Sequence, residues 1–302
     1  MKINAVQKAN ILSQALPYIQ KYSGKIVVIK YGGNAMKNDM LKENVMKDVV
    51  LLTEIGVKVV LVHGGGPEIN KMLDKTGKES VFINGLRYTD QETMDVVQMV
   101  LAGKTNKDLV AMINQKGHKA VGISGMDASL IEAVPYKTGK DDLGFVGAIK
   151  KVNGQLILDI LDRGYIPVIA SVGCDKYGHS YNINADTAAS SIASALNAEN
   201  MILVSDIPGV LRDPKDENSL ISCIYLDDIA YLKRSGIISG GMIPKVECCS
   251  NAITNGVSKA VIIDGRVPHS ILIEMFSEDG LGTMFRKKED CWCQWKWLMM
   301  HM

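Results

Sequence analysis

The sequence predicts an α/β fold built on a mainly parallel, open sheet. Three observations predict it. Apolar runs of strand length are continuous rather than alternating, the pattern of strands buried on both faces. Amphipathic helical segments separate the runs, and strand–helix alternation is the signature of a parallel sheet. Two runs end in clustered glycines, KIVVIKYGGNAM over 25–36 and VVLVHGGGPEI over 59–69. Glycine leaves the backbone bare for a ligand, and free N–H groups ahead of a helix form an anion site.

In chain order, residues 1–22 read as an amphipathic helix with a broad stripe of Val6, Ala9, Ile11, Leu12, Ala15, Leu16 and Ile19. Pro17 is expected to kink it. The helix lies outside the alternating core, so it either packs on its own subunit or crosses to a partner; sequence alone slightly favours the first. The first strand is 26–29. A helix over 39–55 turns Val45, Val49, Leu52 and Ile55 to one face. The second strand, 57–62, leads into a helix opened by Pro67, with Ile69, Met72 and Leu73 inward; proline suits the first helical position. Residues 119–152 break into short β-prone pieces and predict hairpins forming a rim or lid. The third strand is 166–170, and a lobe boundary is placed at 171–178. Asn184 caps a helix over 185–196, rich in Ala and Ser and able to lie close on a sheet. The last two strands are 201–204 and 260–263. Between them Pro244 starts a helix with Val246, Cys249 and Ile253 on one face and Gly256 as its stop.

Composition narrows the function. The 302 residues carry 34 Lys and Arg against 33 Asp and Glu, a net charge of +1, which argues against nucleic-acid or anionic-membrane partners. No apolar run approaches the ~20 residues of a membrane span, and 1–22 lacks a signal-peptide core; a cytoplasmic protein is expected. The six cysteines, at 174, 223, 248, 249, 291 and 293, show no paired CxxC spacing, which argues against zinc and for reduced thiols. Residues 291–302 hold all three tryptophans, two cysteines and three methionines without periodicity. They read as a disordered tail, a foreign end or an amphipathic anchor, and are set aside.

Four constellations carry chemistry. Lys30, ending a buried strand before Gly32 and Gly33, points into the crevice where open α/β sheets bind ligands, and its charge suits a transferring phosphoryl group. Gly64, Gly65 and Gly66 precede Pro67, three glycines where a tight turn needs one; His63 borders them. Tyr181-Asn182-Ile183-Asn184-Ala185-Asp186 alternates two asparagines, then puts an aspartate in a first helical turn. Asn184 and Asp186 suit capping; Asn182 is left over, as for a small polar ligand. Gly240-Gly241-Met242-Ile243-Pro244-Lys245 puts a lysine near a helix start, against the dipole, unless an anion lies between them. Gly103-Lys104-Thr105 imitates the end of a phosphate-binding loop, but Gln98 stands where its first glycine belongs, so it reads as a helix junction. Arg87, on a loop before a helix, is the residue type best fitted to a carboxylate.

KYGGNAM, VHGGGPEI, NGLRYTD, YNINAD, SDIPGVL and SGGMIPKV occur in this order, and together they resemble the amino acid kinase family over residues 11–285. Within it, the members that phosphorylate N-acetyl-L-glutamate are the most similar. The resemblance implies a three-layer αβα sandwich and transfer from ATP to the side-chain carboxylate of N-acetyl-L-glutamate, in arginine synthesis. It implies that Lys30 and Lys245 stabilise the transferring group, that Asp186 orients both, and that Gly32, Gly33 and Gly65 bind phosphate. Gly65, Gly66, Arg87, Asn182 and Asn184 would hold the acetylglutamate, and Ser205, Asp206 and Gly209 would lie beside the nucleotide. Mg²⁺ would ride on the ATP phosphates with no protein ligand. ILSQALPYIQKYSGK and HSILIEMFSEDGLGTMF look like the arginine-inhibited, hexameric type, which would put Tyr18, His269, Glu274 and Gly280 at an arginine site. It also implies segments 1–23 for oligomerisation, 24–174 for the acetylglutamate lobe, 175–288 for the ATP lobe and 289–302 as tail. Met126 departs from the pattern, standing where the family often has lysine. Three alternatives stay open: another acid kinase of this fold, a non-catalytic arginine sensor, or a membrane-associated role through the Trp-rich tail.

Overall fold

The structure is a computed structural model describing residues 4–36, 38–137, 142–278 and 280–288; the Trp-rich segment set aside above lies outside them. Asn4 closes a capping box with Gln7 at the start of α1 (Ala5–Gln14), and α2 (Leu16–Tyr22) begins afresh beyond Ala15. The expected kink falls there, because Pro17 has no N–H with which to continue the first helix. No residue of α1 is buried, whereas Tyr22 of α2 is.

The alternating core follows: β1 (Ile26–Tyr31), α3 (Asp39–Glu54), β2 (Lys58–His63) and α4 (Gly66–Lys75). A small hairpin, β3 (Phe82–Ile83) and β4 (Leu86–Arg87), precedes α5 (Gln91–Gln98), which runs through a π-helical stretch, Met99–Thr105, into α6 (Asn106–Gln115). Next come β5 (Ala120–Ser124), β6 (Ile131–Pro135), β7 (Gly147–Val152), α7 (Gln155–Asp162), β8 (Ile166–Ala170), β9 (Val172–Cys174) and β10 (Ser180–Asn182). The chain continues with α8 (Ala185–Ala195), β11 (Asn200–Ser205), β12 (Cys223–Tyr225), α9 (Ile229–Arg234), α10 (Met242–Thr254), β13 (Lys259–Asp264), α11 (Ser270–Phe276) and β14 (Thr283–Arg286). Helix α10 starts two residues ahead of Pro244, the expected first position.

Eight strands form one sheet in the order β12-β14-β13-β11-β1-β2-β8-β5. Its pairings are parallel except β13 with β14. The continuous apolar runs become its centre because both faces are covered. Val28, Val60, Val62 and Leu203 pack with Ala188, Ile192 and Val246 of α8 and α10. On the other face Val27, Ile29, Leu61 and Ile202 pack with Val49, Leu52 and Ile271 of α3 and α11. Helix–sheet–helix is the expected three-layer sandwich.

The reading of 119–152 as hairpins needs a correction. β6 and β7 do pair as a hairpin, in a second sheet of order β10-β9-β6-β7. β5, however, runs parallel to β8 and forms the edge of the main sheet. Only its last residue is fully buried, so it lacks the apolar density that marks the inner strands.

Because β1, β2, β8, β11 and β13 run parallel, their carboxyl ends share one edge. The chain builds outward from β1 through β2, then returns to lay β11 on β1's other side. That reversal leaves a crevice above β1, the place where open α/β sheets take ligands.

Candidate active site

A cleft of about 210 Å³ opens over the carboxyl ends of β1 and β2, lined by Lys30, Gly65, Arg87, Asn182 and Asp186 among others. Its charged floor comes from three elements. Lys30 leaves β1 and sets its Nζ 2.8 Å from Asp186 Oδ1. Lys245, from α10, donates to Asp186 Oδ2 at 3.0 Å. Asp186 is held in the first turn of α8 by Asn184, whose Oδ1 accepts from the N–H groups of Asp186 and Thr187 at 3.0 and 3.1 Å. Burial by itself would raise the Asp186 pKa; the two ammonium groups outweigh it and hold the carboxyl far below the usual range. Asp186 also answers the misfit of Lys245, since it is an anion beside a lysine that opposes its own helix dipole. Asn184 lines the cleft as expected, but its oxygen serves the helix cap.

The glycine turns are bare for specific reasons. A Cβ on Gly32 would lie 3.3 Å from the Lys30 side chain, and one on Gly64 3.2 Å from Ala185 Cβ. On Gly65 it would meet Leu101 Cδ2 at 2.7 Å, so the π-helical stretch and α4 close on the backbone itself. Gly33 has φ +67°, a left-handed conformation that favours glycine. Gly65 and Gly66 stand at the start of α4, where the first N–H groups have no partner within the helix.

Arg87 is buried over the cleft. It donates to Ser80 Oγ at 2.8 Å, to Asn70 Oδ1, and to Gly66 O at 3.4 Å, with the Phe82 ring 4.7 Å from its guanidinium carbon. Burial lowers its pKa, and among the described residues no carboxylate pairs with it. Asn182 Nδ2 donates to Thr89 Oγ1 at 3.2 Å, and that hydroxyl to Arg87 O at 2.8 Å. Ser80 and Asn70 lie in no motif, and Thr89 lies within NGLRYTD without having been singled out; the sequence reading missed all three.

Other expected residues lie apart. Ser205, Asp206 and Gly209 do not line this cleft; Ser205 ends β11 and the other two follow it, one strand over on the same edge. Gly209, at φ +149°, leaves no room for a Cβ, which would sit 2.5 Å from Thr283 Oγ1. Met126 packs beside α5 and Ser180 rather than in the cleft. On the opposite edge, Tyr18 meets Phe276 edge-on at 6.2 Å. Glu274 is buried between Lys259 Nζ at 3.3 Å and the Leu281 N–H at 2.9 Å, with Gly280 against it. Lys259 was not anticipated. His269 turns to the buried Asp48, 2.5 Å away.

The profile of the amino acid kinase family matches residues 25–264. A relative from Clostridioides difficile, acetylglutamate kinase, is 57% identical over 285 residues, 94% of this chain and 99% of its own. Another acetylglutamate kinase, from Brachyspira hyodysenteriae, is 59% identical over 280 residues, 93% of this chain and 97% of its own. N-acetylglutamate synthase from Neisseria gonorrhoeae, solved with coenzyme A and N-acetyl-glutamate, shares the fold with a TM-score of 0.82 at 23% identity, over 93% of this chain and 63% of that one. Carbamate kinase from Giardia lamblia bound to AMP-PNP gives a TM-score of 0.65 at 17% identity, over 88% of this chain and all of that one (100%).

Proposed function

The chain belongs to the amino acid kinase family, and we propose that it transfers the γ-phosphoryl group of ATP to the side-chain carboxylate of N-acetyl-L-glutamate. The product is an acyl phosphate, N-acetyl-L-glutamyl 5-phosphate, in arginine synthesis. One observation carries the reading: two lysines, one from a strand and one from a helix, converge on one buried aspartate beside a cleft whose buried arginine has no carboxylate partner among the described residues.

Phosphoryl transfer asks for positioning and charge neutralisation rather than covalent help. Lys30 and Lys245 flank the transferring group, and Asp186 fixes the two ammonium groups relative to each other. Gly33 and Gly65, with Gly32 beside them, offer backbone N–H groups to its oxygens. Arg87 takes the α-carboxylate of the acceptor, while Gly66, Asn182 and the Asn184 amide nitrogen hold its polar atoms. The attacking carboxylate is already ionised at neutral pH, so no general base is required. Ser205, Asp206 and Gly209 border the nucleotide. The substrate is MgATP: Asp186 is engaged by two lysines, so the ion stays on the phosphates. An arginine sensor has no use for the Lys30–Asp186–Lys245 assembly, which favours the enzyme reading.

The finer reading adds arginine inhibition through Tyr18, His269, Glu274, Gly280 and the neighbouring Lys259, in a hexamer joined by the N-terminal helices. The exposed apolar side chains of α1 support it. Lobes 24–174 and 175–288 meet in the β9–β10 turn. The four described cysteines are free thiols, which supports a cytoplasmic setting; among the described residues no helix is long and apolar enough to cross a membrane.

The test is MgATP turnover with hydroxylamine trapping of the acyl phosphate, offering N-acetyl-L-glutamate, L-glutamate, L-aspartate or carbamate, with and without arginine. Hydroxamate from acetylglutamate alone is expected. Trapping only with another acid would replace the acceptor, and none with any acid would sink the kinase reading.

A further inference from the structure

His63 does not line the cleft, yet it ends β2 immediately before the glycine turn and is fully buried. Its Nδ1 lies 2.9 Å from Gly64 O and its Nε2 3.1 Å from Asn106 Nδ2. A carbonyl oxygen only accepts, so Nδ1 carries the proton. Asn106 enforces the same tautomer from the other side. Its Oδ1 accepts from Lys107 Nζ at 3.1 Å, which fixes which end of the amide faces the ring. Of the three acceptors near Nδ2, its two N–H groups serve the nearer pair, Val168 O at 2.9 Å and Nε2, with Ile123 O farther off at 3.3 Å. Burial keeps the ring neutral, pulling its pKa down to about 4, and the Gly64 contact opposes that only in part.

The consequence lies in the next peptide. Gly64 C=O and Gly65 N–H belong to one planar trans unit and point in opposite directions. A hydrogen bond that pulls the carbonyl toward His63 therefore turns the Gly65 N–H outward, toward the cleft. We propose that His63, held in its Nδ1–H tautomer by Asn106, is a positioning residue that aims the Gly65 N–H at the transferring phosphoryl group. This rests on the phosphate role of Gly65 proposed above. Glycines on both sides make such a fixture necessary, because neither supplies a side chain to restrain the turn.

Three substitutions separate aiming from mere core filling. His63→Leu keeps bulk and loses the donor. His63→Gln places its amide nitrogen near the former Nε2, out of reach of Gly64 O. His63→Asn places its amide nitrogen near the former Nδ1. His63→Leu and His63→Gln are expected to lose on the order of 10- to 100-fold in kcat with KM little changed, below the loss for deleting an oxyanion donor outright; His63→Asn recovers most of it. Equal losses in all three, or none in His63→Leu, overturn the proposal. Nitrogen-15 NMR of the wild-type histidine ring tests it independently of activity. A neutral Nδ1–H tautomer is expected, and an Nε2–H tautomer overturns it even if acetylglutamate is no substrate, whereas failure of wild-type turnover alone counts against the acceptor.

Discussion

At the scale of single residues, charge placement decides the chemistry. Lys30 and Lys245 reach opposite oxygens of Asp186, so removing Lys30 takes one cation from the transferring group. Lys30→Ala is expected to lower kcat on the order of 10²–10³, as for a lost transition-state donor; near-wild-type turnover in the trapping assay rules out that role. The sequence exposed these three residues because each sits beside a glycine pair or a helix cap. It did not expose Asn106, which is 43 residues from His63; spacing along the chain says nothing about that contact. The pair does have a pH signature. His63 has an ordinary pKa of 6.5 and a folded value of about 4, so on acidification the unfolded chain binds a proton first. Its contribution is intact above 6.5 and is lost as pH falls from there through about 4, roughly 3 kcal/mol at 1.36 kcal/mol per unit. Asp48 acts in the opposite sense. Burial pushes it up to about 6, against the His269 contact, so the stability it contributes at low pH is lost as pH rises from 3.8 through about 6. Only a difference between chains isolates either group. Urea melts between pH 4 and 7 should show His63→Asn losing less stability on acidification than wild type; parallel curves would mean His63 is not the buried neutral group described.

At the scale of elements, the inner strands were legible and the edge was not. β1, β2, β8, β11 and β13 are buried along most of their length, and double-sided burial writes itself into sequence as unbroken Val and Ile. β5 reads Ala-Val-Gly-Ile-Ser, is only half covered, and carries a glycine at its centre. Tertiary packing explains that glycine. A Cβ on Gly122 would stand 1.9 Å from Asn106 Oδ1 and 2.9 Å from Val110 Cγ2. The start of α6 lies directly on the strand there, and the π-helical turn before it sets that position. Gly122→Ala must therefore push Asn106 away from Val168 O and from His63. Overpacking of this kind costs about 1–3 kcal/mol. The expected outcome is a lowered Tm together with a kcat deficit resembling that of His63→Leu. A destabilised variant with unchanged kcat would show that α6 can shift without disturbing the glycine turn. The π-helical stretch itself was invisible beforehand. Gly103-Lys104-Thr105 read as a junction, and the structure makes it a widened helical turn that brings Leu101 and Thr105 against Gly65.

At the scale of the whole molecule, α1 is the element that the protomer does not use. Val6, Ile11 and Leu12 are 53–74% exposed, and no residue of α1 is buried. An apolar helix face left in water has a cost that a partner's surface can remove. α2 is different: Tyr22 is buried among Val27, Val49 and Val57, and Tyr18 contacts Phe276. A deletion through residue 23 would therefore remove part of the core along with the arm. The cleaner cut is ahead of Leu16. Deleting residues 1–15 should leave the protomer's melting temperature and kcat close to wild type, because none of the described side chains it removes is buried. The same deletion should dissolve any hexamer into dimers, read by sedimentation velocity. If the proposed arginine site and interlaced assembly hold, it should also weaken arginine inhibition, since that site would lose the neighbouring subunit's arm. A truncated chain that stays hexameric and arginine-sensitive would assign assembly to another surface. One that unfolds would mean that α1 folds back on its own subunit, the alternative that the sequence slightly favoured.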